Sequence, residues 1–259
     1  MPGHGFLTVV NDSYRRSGLA GTLLAALLWS WSCGVSAEPC SARLPDSSVY
    51  QGHCENGLFN GQGRLTWRDG AVYEGEFRDG LMHGQGRYVS SNGWTLQGRW
   101  VDGSANGHGV YDDPRTGKYV GMFKDDEFHG QGSYSAIDGS VCSGEYRDGQ
   151  LNGQASCRFD NGDEVSGEYK NGEVNGNGVT RFASGSTYVG QFKDGYWDGV
   201  GVLHYANGDR YRGQFSKGHR HGEGVFFDSS NDEEISGEWK FGDYVGDQRY
   251  SCQPVPNPI

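Results

Sequence analysis

Residues 73–86 read YEGEFRDGLMHGQG, and this frame recurs along most of the chain. It returns at 188–201 as YVGQFKDGYWDGVG and at 211–224 as YRGQFSKGHRHGEG. With the leading tyrosine as position 1, eight full copies follow one another at a spacing of 23 residues, and a ninth, partial copy begins at Ile235. The full copies begin at Tyr50, Tyr73, Leu96, Tyr119, Cys142, Val165, Tyr188 and Tyr211. A fixed period of this length indicates a repeat protein in which each copy is one supersecondary unit.

The pattern within one copy predicts a β-hairpin. Positions 1, 3 and 5 alternate aromatic, glycine and aromatic, whereas positions 2, 4 and 6 are mostly polar, which is typical of a strand with one apolar face. Asp-Gly or Asn-Gly at positions 7 and 8 supplies residues that tolerate a positive φ. A turn there pairs position 1 with 16, 3 with 14 and 5 with 12. We therefore expect an all-β fold, a single-layer antiparallel sheet of stacked hairpins.

The core Tyr-x-Gly-x-Phe-x-x-Gly, followed by Gly-x-Gly, resembles the MORN (membrane occupation and recognition nexus) repeat. The resemblance covers roughly residues 50–250. It implies a scaffold or interaction module built from stacked hairpins. It also implies phospholipid binding, but the net charge of −11 disfavours an anionic membrane surface because an acidic protein repels anionic lipid. The same acidity argues against nucleic acid as a partner.

The N-terminus has the pattern of a bacterial secretory signal. Arg15 and Arg16 precede an apolar run over 19–31, and small residues lead to Ala37. The run is shorter than the roughly 20 apolar residues that a spanning helix needs. We predict cleavage after Ala37 and a periplasmic or secreted protein, and we disfavour a lipid anchor at Cys33. The predicted organisation is a signal peptide over 1–37, an N-terminal cap segment over 38–49, MORN-like repeats over 50–252 and a tail over 253–259.

Six cysteines in an exported chain favour disulfides. Cys142 and Cys157 occupy positions 1 and 16 of one copy, so the predicted register places them opposite each other with Cα atoms about 4.5–5.5 Å apart. We predict a bond between them. Cys40–Cys54 is a second predicted bridge, which closes the first hairpin and leaves Cys252 unassigned.

No residue pattern in the chain predicts catalysis, a cofactor or a metal site. The Gly-x-Gly doublets lack the third glycine and the helix of a dinucleotide fingerprint. Position 11 is His in some copies and Asn or Asp in others, which is what a left-handed turn position selects. The carboxylates at position 4 are interpreted as a solvated polar face, since an open sheet gives no enclosed pocket. They are Glu76, Glu145, Glu168 and Glu238. We expect a non-enzymatic protein.

Position 5 is aromatic in every copy but the first. This aromatic row consists of Phe77, Trp100, Phe123, Tyr146, Tyr169, Phe192, Phe215 and Trp239. The chain offers no helix or second sheet to cover the row, so we expect part of it to stay accessible and to mark a partner site. The leading hypothesis is an exported scaffold that binds another protein through this row, around Trp100 and Phe123. The alternative is a cell-wall or exopolysaccharide-binding module whose rings stack on sugars.

A second, weaker apolar row occupies position 10 at the hairpin tips, where we expect it to cap the edges of the stack. It consists of Phe59, Met82, Phe128, Leu151, Val174, Trp197 and Tyr244.

Overall fold

A computed structural model describes residues 38–246, and all of its regular structure within that range is β-strand. The predicted signal peptide, Cys33, Cys252 and the predicted tail lie outside the described residues. Within residues 38–246 there is no helix long and apolar enough to cross a membrane. The chain divides into two compact units, one ending at Gln150 and the other beginning at Leu151.

The first unit is an antiparallel sheet in which each strand pairs with its neighbours in sequence. Its described strands are β1 Glu38–Arg43, β2 Val49–Glu55, β3 Leu58–Thr66, β4 Val72–Arg78, β5 Leu81–Val89, β6 Thr95–Val101, β7 Ser104–Asp113, β8 Gly117–Lys124, β9 Glu127–Ala136 and β10 Val141–Arg147. Strand β1 lies in the segment predicted as an N-terminal cap, and it pairs along its whole length with β2.

The second unit repeats the same antiparallel pairing. Its described strands are β11 Gln150–Arg158, which starts at the last residue of the first unit, β12 Glu164–Lys170, β13 Glu173–Arg181, β14 Thr187–Lys193, β15 Tyr196–His204, β16 Arg210–Ser216, β17 His219–Asp228, β18 Glu233–Lys240 and β19 Asp243–Gly246. The predicted all-β, single-layer antiparallel fold is therefore confirmed.

The register within a hairpin agrees with the prediction at two of its three pairs. Tyr73 lies opposite Tyr88, and Gly75 lies opposite Gly86, as positions 1–16 and 3–14 require. Phe77 pairs with Met82 at position 10 instead of position 12. The expected 5–12 pair is wrong because the turn has only two residues, Asp79 (φ 51°) and Gly80 (φ 86°), so the second strand begins early. The two surplus residues form a β-bulge at positions 12 and 13, where the register shifts.

The core of each tyrosine-led copy is a ring laid across two facing glycines. Tyr73 is fully buried, and its hydroxyl donates a hydrogen bond to the Glu76 carbonyl oxygen at 3.1 Å. A Cβ on Gly86 would overlap this hydroxyl, and a Cβ on Gly75 would come 2.7 Å from it. The ring also makes edge contacts with Phe77 and Trp100, both with centroids 5.2 Å away. Paired glycines at positions 3 and 14 are therefore needed to admit the ring.

Copies that lack the leading tyrosine place a polar ring at position 5 instead. Tyr146 and Tyr169 each donate their hydroxyl to the position-1 carbonyl oxygen of their own copy, at 3.2 Å. Trp100 donates its indole Nε1–H to the Gly86 carbonyl oxygen at 3.2 Å, and Trp239 bonds Gly224 in the same way at 3.4 Å. Copies that begin with tyrosine carry Phe at position 5, except the first, which carries Cys54. Each copy thus has one buried polar ring that donates a hydrogen bond to a backbone carbonyl oxygen.

Substitution of the position-14 glycine should cost most where a tyrosine crosses it. We expect Gly86→Ala to lower the free energy of unfolding by about 1–3 kcal/mol, because the methyl group collides with the Tyr73 ring. Gly109→Ala is the matched control: Leu96 begins that copy, and the new Cβ would meet the Gln97 carbonyl oxygen and the Phe123 ring at 3.1 Å, which requires a shift of only a few tenths of an ångström. Urea denaturation of the two variants measures the difference. Equal losses at Gly86 and Gly109 would show that the tyrosine ring does not set the requirement for glycine.

Candidate interaction surface

The structure buries the whole aromatic row, so the expectation that part of it stays accessible is wrong. Trp100 is 1% exposed, Phe123 is 5% exposed, and the remaining six members are also buried. The row is covered by rings from nearby strands on the same face: Trp100 contacts Tyr73, and Phe123 meets Phe128 edge-on at 5.5 Å. A single layer can thus cover its apolar face with its own aromatic side chains. Residues Trp100 and Phe123 are core residues in this structure.

The position-10 row also contributes to the core, contrary to the expectation that it caps the edges of the stack. Phe128 stacks on Tyr119 with centroids 3.8 Å apart and planes 8° from parallel. Trp197 stacks on Tyr188 at 4.3 Å. Five members are buried: Phe59, Phe128, Leu151, Val174 and Trp197. Tyr244, near the end of the described residues, is exposed.

Burial of these rings raises the pKa of their tyrosine hydroxyls. The pKa of Tyr73, Tyr119 and Tyr188 lies well above the ordinary value, and that of Tyr169 and Tyr211 is raised to about 12. The main cause in every case is desolvation of the charged form. These hydroxyls are therefore neutral hydrogen-bond donors at physiological pH, and they serve the fold.

The opposite side of each sheet carries positions 2 and 4 of the first strand and positions 13 and 15 of the second, and we call it the open face. Position 4 has a structural role there. Glu76 Oε1 accepts a hydrogen bond from the Gln85 backbone N–H at 2.9 Å, and Gln191 Oε1 accepts one from the Val200 N–H at 2.8 Å. Both residues lie in the bulge, where the register shift leaves them without a partner on the preceding strand of the hairpin. The interpretation of the position-4 carboxylates as a solvated polar face is therefore incomplete, because side chains at this position also bond the backbone of the bulge.

The bulge cap predicts a local effect of substitutions at position 4. Gln191→Ala removes the acceptor for Val200 N–H, and we expect it to lower the free energy of unfolding by about 0.5–1.5 kcal/mol. Gln191→Glu retains a side-chain oxygen at the same reach and should cost less. Amide hydrogen exchange of Val200, followed by NMR, reports on the cap directly. Unchanged exchange in Gln191→Ala would mean that the side chain does not hold the bulge.

The open face of the first unit forms a shallow polar groove over its first three copies. Gln51, His53, Gln62, Arg64, Glu74, Gln85, Arg87 and Gln97 supply the side chains that line it. Arg64 forms an ion pair with Glu74, and Glu74 lies opposite Arg87 on the neighbouring strand. The charged side chains of the lining are thus two arginines and one glutamate.

The open face of the second unit carries an aliphatic cluster that the sequence reasoning missed. Val179 lies opposite Val189, which in turn lies opposite Val202, on strands β13, β14 and β15. Val200 is two residues before Val202 and therefore faces the same side. Val189 is 48% exposed and Val200 is 58% exposed, while the other two are half-buried. These four residues are the valine patch. In the sequence, the signal that could have revealed this patch is valine at positions 2, 13 and 15 of adjacent copies.

A basic row runs beside the valine patch. Position 17 of one strand pairs with position 0 of the next, which places Arg181, Thr187, His204 and Arg210 in register across β13–β16. Arg212 continues the valine row itself, opposite Val202. We call Arg181, Arg210 and Arg212 the arginine rim; all three are exposed. Arg210 also lies 3.9 Å from a Glu234 oxygen.

The cysteines and histidines considered for disulfides and metal binding lie on separate hairpins. A disulfide joins Cys40 on β1 to Cys54 on β2, with Cα atoms 5.8 Å apart. Cys142 and Cys157 are each disulfide-bonded, and their pairing with each other stays a prediction. His83 Nδ1 lies 3.5 Å from an Asp102 oxygen at the next hairpin turn. Over residues 38–246, no three His, Cys, Asp or Glu side chains come together in a way that could hold a metal ion.

Comparison with protein families matches the MORN repeat eight times, over 50–72, 73–95, 97–115, 119–141, 142–164, 166–187, 188–210 and 211–233. The chain belongs to the MORN repeat family. The matches begin within one residue of the copies defined by the 23-residue period. MORN repeats generally mediate protein or membrane interactions, and a MORN scaffold suits a protein-interaction role.

Solved structures add little to this assignment. The chain is similar to the TCP domain of SAS-4 (dCPAP) of Drosophila melanogaster, solved in complex with a proline-rich motif of Ana2 (dSTIL). The identity is 14%, the TM-score is 0.24, and the match covers 72% of this chain and 96% of that one. A likeness at this level carries no argument about function. A comparison with curated protein sequences finds no match.

Proposed function

We propose that this MORN repeat chain is an exported, non-enzymatic scaffold that binds a protein partner through its open face. The observation that carries the proposal is the valine patch, an exposed aliphatic cluster on the side of the sheet that is otherwise polar. Val189 and Val200 are each about half exposed. Contiguous exposed apolar surface commonly marks an interaction site. Moving a valine side chain out of water contributes on the order of 1–2 kcal/mol, so the patch would contribute part of the binding free energy of an interface.

Burial of the aromatic row bears on the choice between a protein and a polysaccharide partner. Stacking on sugar requires a ring face that solvent can reach, and all eight rings of the row are buried. The open face offers valines, amides and charged groups instead. Aliphatic side chains favour apolar protein surface over sugar hydroxyls, because they offer no hydrogen bonds to replace those that the hydroxyls make with water.

The disulfide supports the export part of the proposal. Cys40 and Cys54 are bonded in the structure, and disulfides persist mainly in oxidising compartments. The predicted signal over 1–37 is consistent with such a compartment. Both lines of support favour a periplasmic or secreted protein.

Site-specific photo-crosslinking in the source organism tests the proposed surface. We expect a photoreactive residue at Val189 to give discrete crosslinks to protein, because the side chain lies at the centre of the valine patch. Ser184, exposed in the loop between β13 and β14, is the matched control and should give few or none. Crosslinks of equal strength at both positions, or retention on peptidoglycan or exopolysaccharide beads with no crosslinked protein, would contradict the proposal.

Mass spectrometry of the native protein tests export and the disulfides together. We expect Glu38 at the N-terminus and, under non-reducing digestion, linked peptides containing Cys40–Cys54 and Cys142–Cys157. An intact Met1 in a cytoplasmic fraction, or an acylated Cys33, would overturn the predicted localisation. A free Cys142 thiol, or a bond from Cys142 to Cys54, would overturn the predicted pairing.

A further inference from the structure

We infer that the valine patch takes an acidic amphipathic helix from a partner protein, with its apolar stripe on the valines and its carboxylates on the arginine rim. This inference rests on the proposed function and adds the chemistry of the partner. Three features carry it: the direction of the valine row, the charge beside it, and the contrast with an equivalent valine elsewhere in the chain.

The direction of the valine row fits a helix that lies across the strands. Val179, Val189 and Val202 are directly paired on three adjacent strands, so they succeed one another at the strand spacing of about 4.8 Å. A helix presents side chains on one face once per turn of about 5.4 Å, whereas a strand presents them every 6.6 Å or so. Over three successive contacts, the side chains on one face of a helix therefore stay close to register with the valines. The side chains on one face of an extended segment would shift by almost one valine spacing over the same distance.

The charge beside the row selects an acidic segment. Arg181 and Arg210 lie in the row next to the valines and parallel to it, so they flank one long side of a helix placed there. Arg212 lies at the end of the valine row. The other flank carries Asn177 and Gln191, which are uncharged, and the Glu168 carboxylate lies beside Gly176 at its β12 end. Such a one-sided basic rim is notable in a chain with a net charge of −11, and carboxylates on one flank of the helix would complement it.

Glu164 and Glu234 also face the rim, and neither cancels it. Glu164 lies opposite Arg181 in the register of β12 and β13, and a Glu234 oxygen lies 3.9 Å from Arg210. These carboxylates and guanidinium groups are at exposed positions, where opposite charges contribute little to stability. A partner carboxylate that buries against the valines gains a less screened interaction with the same guanidinium groups.

Val120 provides an internal contrast. It occupies position 2 of the fourth copy, as Val189 does in the seventh, and it is 49% exposed. Its flanking charges are Asp112 and Lys118, whose side chains lie 3.7 Å apart and balance each other. Exposure of valine is thus the same at the two places, but the arginine rim is present only at Val189.

Binding of synthetic helical peptides to the full mature chain tests the inference. The acidic probe has a leucine stripe flanked by glutamate, and the control probe has lysine in place of each glutamate. We expect fluorescence anisotropy to show binding of the acidic probe, weakened at least ~10-fold by Val189→Gln and ~5-fold by Arg181→Gln. Val120→Gln should leave binding unchanged. Amide chemical shifts of the wild-type chain should move at the valine patch, which requires no variant to fold.

Several outcomes would overturn the inference. They are equal affinity for the lysine probe, an equal loss in Val120→Gln, no binding of the acidic probe, or conversion of a dimer to a monomer by Val189→Gln, which would mean that a second copy occupies the patch. If Val189 crosslinks to protein in cells while the acidic probe shows no preference, the inference fails and the proposed function stands. If Val189 gives no crosslinks in cells, the proposed function fails whatever the probes do.

Discussion

The rest of this structure depends on a ring laid across two facing glycines. A sheet of one layer has no second layer to cover its apolar side, so its rings must lie flat and protect one another. The Tyr73 ring does so over Gly75 and Gly86, with its hydroxyl bonded to a backbone carbonyl group. The glycine pair fixes the register of strands, the register fixes the neighbours of each ring, and the neighbours exclude water. In the tyrosine-led copies glycine is required by this contact, and in copies such as the one with Gly98 the close approach of the facing backbone requires it as well.

Much of the fold could be predicted from the sequence because the period and the turn residues are local signals. The 23-residue spacing gave the hairpins, and Asp-Gly at positions 7 and 8 gave the turn. The bulge could not be found in the same way. It depends on the agreement between a two-residue turn and the facing glycines, and it is completed by a side chain at position 4 that caps the Gln85 or Val200 N–H. These are distant contacts, which alternation along one strand does not reveal.

The candidate surface was harder to predict than the fold. Aromatic residues at a regular spacing can mean either a core or a ligand platform, and the deciding fact is whether neighbouring rings cover each other. Trp100 is covered by contacts that extend into the preceding copy, such as the one with Tyr73. The valine patch was overlooked for the opposite reason: Val179, Val189 and Val202 are far apart in sequence and come together only through strand pairing. Sequence identified the residue types, and pairing determined their location.

Some copies carry their polar ring at position 1 and others at position 5, and this difference affects how the chain unfolds. Tyr73 bonds a carbonyl group of its own copy, so that bond survives if a neighbouring copy opens. Trp100 and Trp239 bond carbonyl groups of the preceding copies, at Gly86 and Gly224. If those preceding copies opened, a buried indole N–H would lose its hydrogen-bond acceptor. In a linear array, stability is a sum of intrinsic and nearest-neighbour terms, and the two tryptophans enlarge the neighbour term at two junctions. Copies joined there should melt as pairs, which makes the cooperative unit of this protein larger than its repeat.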